Sequence, residues 1–112
     1  MEIERINTAV KFLKNGQSFK VGPLLLGAID ESNLCVTGWS QYIFLDNLTK
    51  QKALRELQSI KTLFEEMIRL SQDLRDFIKN KKFEYNLVFD SGKAGVGICS
   101  EKNGNIEWQI DL

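Results

Sequence analysis

The sequence predicts a single α+β domain over residues 1–112, and three observations support that fold class. The chain opens with an amphipathic helical pattern, its middle carries a long helical stripe, and its last thirty residues alternate with the period of two that strands show. A chain of 112 residues has room for one hydrophobic core. We therefore expect an N-terminal helix, a β-hairpin, a long central helix or helix pair, and a C-terminal three-stranded antiparallel meander.

The first elements are a helix over residues 3–14 and a hairpin over residues 17–39. Asn15-Gly16 supplies a helix stop signal, and the helix places its apolar side chains on one face: Ile3, Ile6, Val10 and Leu13. After it, Gly22-Pro23 interrupts an apolar segment, and the polar cluster at residues 30–33 is typical of a turn. Two strands joined as a hairpin fit this pattern best.

The central segment is predicted to be helical because no Gly or Pro interrupts residues 48–80. Its apolar side chains follow a three-four spacing and form a core-facing stripe: Leu57, Ile60, Phe64, Met67, Leu74 and Ile78, widened by Leu63, Leu70 and Phe77. The segment is either one long helix or two helices with a break near Gln58-Ser59.

The C-terminal segment is predicted to form three strands. Residues 83–90, 94–99 and 106–110 each alternate apolar with other side chains, and Asn103-Gly104 is a strong signal for a tight hairpin turn. The glycines of residues 92–97 have the density of a phosphate-binding loop, but they continue as a strand and open no helix. We expect Gly95 and Gly97 to leave an uncovered strip of backbone on one face of the sheet.

The composition argues against catalysis and against a bound metal or cofactor. The chain has no histidine, and its two cysteines, Cys35 and Cys99, lie far apart without a base to activate either thiol. No metal-ligand spacing is present, so we predict no enzyme, no cofactor and no metal site. Both cysteines are expected as buried free thiols. The acidic N-terminus and the short apolar runs predict a cytoplasmic protein without a membrane span.

The charges are balanced overall but unevenly distributed. Fifteen Lys and Arg offset fifteen Asp and Glu, which argues against nucleic acid as a partner. Residues 49–82 carry nine positive and five negative side chains, whereas residues 83–112 carry two and five. At the end of the long helix, cations would complement the helix dipole: Arg75, Lys79, Lys81 and Lys82.

The alternation of the C-terminal strands places their acids on the face opposite the apolar side chains, with no cation beside them. Such a face serves solubility, or it binds a cationic partner, and both interpretations remain open. The predicted partner-binding residues on this face are Glu84, Asn86, Asp90, Glu101, Glu107, Gln109 and Asp111.

The opening helix from Ile3 to Leu13, the long central helix and the meander from Tyr85-Asn86-Leu87 to Trp108-Gln109 resemble one known class of proteins. The chain resembles the small immunity proteins of bacterial contact-dependent growth-inhibition and related polymorphic toxin systems. The resemblance implies a monomeric, non-catalytic inhibitor that binds one cognate toxin domain, often a nuclease, in a 1:1 complex. The basic groove of a nuclease would then face the acidic strands.

Two other functions fit the same sequence. The chain would be an adaptor or regulatory protein if its long helix dimerised, or docked a partner helix, along Leu63, Leu70 and Phe77. It would be a small enzyme or ligand carrier if a polar pocket with a titratable side chain lay between helix and sheet.

Overall fold

A computed structural model describes residues 2–28, 34–39, 42, 46–90 and 93–100, and it confirms the predicted α+β class. Within these ranges, three helices accompany a five-stranded antiparallel sheet. The helices are α1 (Ile3–Lys14), α2 (Asn47–Leu70) and α3 (Gln72–Ile78). The strands are β1 (Phe19–Val21), β2 (Leu24–Ala28), β3 (Leu34–Trp39), β4 (Glu84–Asp90) and β5 (Lys93–Cys99).

Helix α1 forms where the sequence predicts it and ends at the predicted signal. The Asn15 and Gly16 N–H groups donate to carbonyls of the last turn, and Gly16 has φ +73°, a left-handed conformation that glycine adopts without strain. Its buried face holds Ile6, Ala9, Val10 and Leu13. Ile3, predicted on the same face of the helix, is 49% exposed, because the core does not reach the first turn. Periodicity gives the face of a helix, but not how far along it the core extends.

The segment after α1 forms three strands where the sequence predicts two. Val21 pairs with Leu24, so Gly22-Pro23 is a two-residue hairpin turn between β1 and β2. Gly22 has φ +57°, which glycine tolerates at the first position of such a turn. Strand β2 then pairs with β3. The predicted turn at residues 30–33 lies outside the described residues.

The five strands form one sheet in the order β1-β2-β3-β5-β4. Because β3 pairs with β5, the N-terminal hairpin and the C-terminal strands share a single sheet. Strands β4 and β5 are two strands of the predicted meander, and β5 is paired on both sides, with β3 and with β4. The third predicted meander strand, residues 106–110, lies outside the described residues.

The central helical segment divides at Ser71, so the predicted position of a break near Gln58-Ser59 is wrong. Asp46 caps the start of α2 by accepting from the Thr49 N–H at 2.8 Å. Ser71 caps α3 by accepting from the Leu74 N–H at 3.2 Å, and its hydroxyl donates to Asn7 Oδ1 of α1 at 2.6 Å. A buried serine thus ends α2, begins α3 and connects both to α1.

One core lies between the helices and one face of the sheet. Alternate residues of the strands, among them Val36, Leu87, Val96 and Ile98, belong to the same buried cluster as Ile6 of α1. The predicted central stripe packs into this cluster: Leu57, Ile60, Phe64, Met67 and Leu74 are buried, and Leu63, Leu70, Phe77 and Ile78 are partly buried against it.

The structure joins Cys35 and Cys99 in a disulfide, so the expectation of two free thiols is wrong. These residues are direct partners in the register of β3 and β5, with Cα atoms 4.2 Å apart. Sequence separation hides this pairing, because the two residues are 64 positions apart and only the strand order brings them together.

Candidate functional site

The predicted acidic face corresponds to the side of the sheet that faces away from the helices. Register places Glu84 opposite Cys99 and Asn86 opposite Gly97, so these residues share this outer face. Cys35, Val88 and Cys99 form a small buried cluster there that includes no helix residue. Thr37, opposite Gly97 on β3, is also buried on this face.

The structure describes the side chains of two of the seven predicted acidic-face residues. Glu84 is exposed as expected, but Asn86 is only 1% exposed, so its predicted position at the solvent is wrong. For Asp90, the structure describes the backbone position at the end of β4. The other predicted site residues lie outside the described residues: Glu101, Glu107, Gln109 and Asp111.

A further expectation for the outer face is wrong. Gly95 and Gly97 are buried, although the sequence predicts an uncovered strip. Strand β5 begins at Lys93, one residue before the predicted strand, and Lys93 pairs in register with Asp90. The period of two predicts the face of the sheet on which a side chain lies. It does not show whether other residues cover that face, or whether a residue predicted in a turn belongs to a strand.

Among the described strands, β4 lies at one edge of the sheet, with β5 as its neighbour. The Ser100 N–H donates to the Leu34 carbonyl, so Leu34 and Ser100 form a hydrogen-bonded pair. In an antiparallel ladder such pairs recur at every second residue, which identifies the residues of β3 and β5 that bond to each other. It follows that Glu84, Asn86 and Val88 direct their backbone groups toward β5. The backbone groups of the intervening residues, Tyr85, Leu87 and Phe89, point outward from the edge.

The opposite edge of the sheet is short and protected. The same alternation, carried through β3 and β2, directs the Lys20 backbone outward from β1. The Arg5 guanidinium of α1 donates to the Lys20 carbonyl at 2.9 Å and lies 5.0 Å from the centroid of the Phe19 ring. A three-residue strand with a covered central carbonyl is a poor template for another strand. Nothing in the sequence pattern signals this contact.

Aromatic contacts with α2 hold the β4 edge in place. The rings of Phe64 and Phe83 meet edge to face with centroids 5.4 Å apart. Lys61 Nζ lies 5.7 Å from the centroid of the Tyr85 ring. These contacts anchor β4 on α2 and fix the position of its backbone edge.

One of the basic residues predicted to complement the dipole of the long helix contacts its C-terminus. Arg75 donates at 2.7 Å to the carbonyls of both Ile68 and Arg69. It therefore stabilises the C-terminus of α2 from the following helix, α3. Lys81 Nζ lies 5.1 Å from the centroid of the Phe77 ring.

Within the ranges that the structure describes, no group of three His, Cys, Asp or Glu side chains could hold a metal ion. The backbone N–H and the hydroxyl of Thr49 both donate to Asp46 and lower the pKa of that carboxyl, which is a helix-capping effect. No helix among the described residues has the length and apolar character to cross a membrane.

Comparison with known proteins yields no relative. No family model matches the chain, and no curated protein or solved structure is similar enough to match it.

Proposed function

We propose that this chain is a non-catalytic immunity-type protein that binds and neutralises a toxin domain at the edge of β4. The observation that supports the proposal is the edge position of β4 among the described strands: it has seven residues, and the backbone groups of Tyr85, Leu87 and Phe89 are directed away from β5. Such an edge accepts an extended segment of another protein through backbone hydrogen bonds. The anchoring of Tyr85 and Phe83 on α2 supports it, because a preorganised edge loses little entropy on binding.

The charge at the edge favours a cationic toxin segment. Glu84 is exposed where β4 begins. A nuclease domain fits this requirement, because its groove carries cations that bind phosphates. In this proposal the inhibitor covers the groove, and one chain binds one toxin domain.

The partner can be sought in the genome. We expect the reading frame directly upstream of this gene to encode the end of a large secreted protein. Its C-terminal domain, expressed alone, should stop growth, and co-expression of this chain should restore it. Isothermal titration of the two purified proteins should give a 1:1 complex. A toxic domain that this chain neither binds nor neutralises would contradict the proposed function.

Hydrogen exchange of backbone amides tests the binding mode in the same complex. In the free chain, the outward amides of Tyr85 and Leu87 should exchange quickly, and those of Asn86 and Val88 slowly, because only the latter bond to β5. Binding should slow the outward pair and leave the inward pair unchanged. Slowing confined to other elements would place the toxin elsewhere.

Charge reversal at the edge supplies a matched pair of variants. Glu84→Lys should weaken toxin binding roughly tenfold at low salt, since it places a cation beside a cationic segment. Glu65→Lys reverses an exposed charge on α2 and should leave the affinity unchanged. Equal effects of the two substitutions would show a general charge effect and contradict docking at β4.

The proposed cytoplasmic location depends on the redox state of the cysteine pair. Disulfides persist in oxidising compartments, and the cytoplasm keeps thiols reduced. Alkylating the thiols in intact cells before purification measures this state directly. Two alkylated cysteines per chain would support the cytoplasm, and none would place the protein in an oxidising compartment.

A further inference from the structure

Helix α2 carries a row of side chains beside its buried face. Leu48, Lys52, Arg55 and Ser59 follow one another at three-four spacing, so they lie on one side of the helix, and all four are exposed. Leu48 is 57% exposed, which is unusual for a leucine. Farther along, the row continues with three half-buried residues, of which the two leucines also pack partly against the core. We call the whole row the α2 stripe: Leu48, Lys52, Arg55, Ser59, Leu63, Glu66 and Leu70.

The cations of the α2 stripe form no close ion pair among the described residues. Lys52 and Arg55 lie in the second and third turns of α2, and both are exposed. The ion pair found among the described residues joins Arg69 to Glu66 at 3.7 Å and leaves both side chains partly in solvent. Lys52 helps to lower the pKa of Asp46, whose carboxylate accepts its hydrogen bonds from Thr49. Both cations can therefore pair with an acid of another molecule.

The charges of the α2 stripe are complementary to a second copy of the same stripe. Lys52 lies seven residues before Ser59, and Glu66 lies seven residues after it. Leu48 and Leu70 stand eleven residues on either side. An antiparallel copy with its two-fold axis at Ser59 therefore faces Lys52 with Glu66 and Leu48 with Leu70. A parallel copy would bring Lys52 against Lys52 and Arg55 against Arg55.

We propose that a second copy of this chain binds along the α2 stripe and forms an antiparallel, two-fold symmetric dimer. Both copies then use the same surface, as a two-fold interface requires. Ser59 is small and its hydroxyl donates back to the Arg55 carbonyl at 3.1 Å, so the two helices can approach closely at the axis. Arg55 meets Leu63 of the other copy with its aliphatic stem and reaches toward Glu66 with its guanidinium.

The dimer goes beyond the proposed function and is compatible with it. The contact lies along the α2 stripe, whereas toxin binding is proposed at the backbone edge of β4. Each dimer would therefore present two β4 edges. A contact made by one helix of about 36 Å from each copy is at the small end of stable interfaces, so we expect a dimer that dissociates at micromolar concentrations.

Sedimentation velocity of the full chain between about 1 and 300 µM tests this interface, since that range spans weak association. The wild-type chain should shift from monomer to dimer as the concentration rises. Lys52→Glu and Glu66→Lys should each weaken the dimer about tenfold by creating like-charge contacts, and the double variant should recover most of the loss. Lys50→Glu, an exposed change on another side of α2, is the matched control and should not alter it.

Cross-linking gives a second readout that does not depend on charge. Ser59→Cys places a thiol at the proposed two-fold axis, so mild oxidation should join two chains through residue 59. Lys50→Cys should give no covalent dimer under the same conditions. A chain that stays monomeric throughout the concentration range would overturn the proposal. So would a dimer that ignores both charge reversals and fails to cross-link at residue 59.

Discussion

At the scale of single residues, the Ser71 hydroxyl links three helices through hydrogen bonds. It is fully buried, accepts from the Leu74 N–H and donates to Asn7 Oδ1. The substitution Ser71→Ala removes both contacts and leaves the Leu74 N–H without its cap. We expect a loss of about 1–2 kcal/mol in the free energy of unfolding, measured by urea denaturation. Ser59→Ala removes an exposed hydroxyl of the same kind and should change stability by less than about 0.5 kcal/mol.

Gly97 marks a place where two strands approach too closely for a side chain. A Cβ atom there would lie 2.9 Å from both the Val36 carbonyl oxygen and Thr37 Cγ2. Because the backbone of β3 cannot move without disturbing the ladder, we expect Gly97→Ala to destabilise the chain by about 1–3 kcal/mol. Gly27→Ala is the control, since its Cβ would meet a Ser18 hydroxyl that can rotate away. Equal urea midpoints for the two variants would contradict this difference.

Single residues also show how far the sequence pattern predicts the exposure of a side chain. The alternation of β4 correctly separates Leu87 from Glu84, because successive side chains of a strand point to opposite faces. It fails for Asn86, which is buried on the face expected to be wet. Local sequence fixes the direction of a side chain, and the rest of the chain decides what covers it. Glu84 keeps its predicted exposure, and the acidic residues outside the described ranges stay a prediction.

At the scale of elements, the start of α2 depends on an ionised cap. The Thr49 N–H and hydroxyl lower the Asp46 pKa, so the stabilisation is complete above the unfolded-state value of about 3.9. It is lost as the pH falls through the lower folded-state pKa. Asp46→Asn keeps an oxygen acceptor without the charge. The stability difference between wild type and this variant should therefore shrink below about pH 4 in thermal unfolding from pH 2 to 7. A constant difference would contradict a role for the charge.

The end of a helix could be predicted from the sequence where a local stop signal marks it. Asn15-Gly16 ends α1 as expected, because a left-handed glycine stops a helix without long-range help. The break at Ser71 carries a comparable local signal, a serine followed two positions later by the acidic Asp73. The three-four spacing of the apolar side chains continues through Ser71, so the spacing gives no indication of the break. Arg75 then bridges the break from the other side by binding the last carbonyls of α2.

At the scale of the whole molecule, the strand order could not be read from the sequence. The pairing of β3 with β5 joins segments separated by α2 and α3, and neither strand carries a local signal for its partner. This pairing places β4 at an edge of the described sheet and brings Cys35 opposite Cys99. The edge position of β4 and the disulfide therefore both follow from the pairing of β3 with β5.

The disulfide closes a loop between residues 64 positions apart, which includes both helices of the central segment. A cross-link of this span restricts the unfolded chain and should stabilise the fold by about 4 kcal/mol. Reductant should therefore lower the urea midpoint of the wild-type chain and leave that of a Cys35→Ser/Cys99→Ser variant unchanged. Thiol titration in urea, without reductant, should detect no free thiol in the oxidised chain. A midpoint that does not respond to reductant in a chain with paired cysteines would mean that the native sheet holds β3 and β5 together without help from the bond.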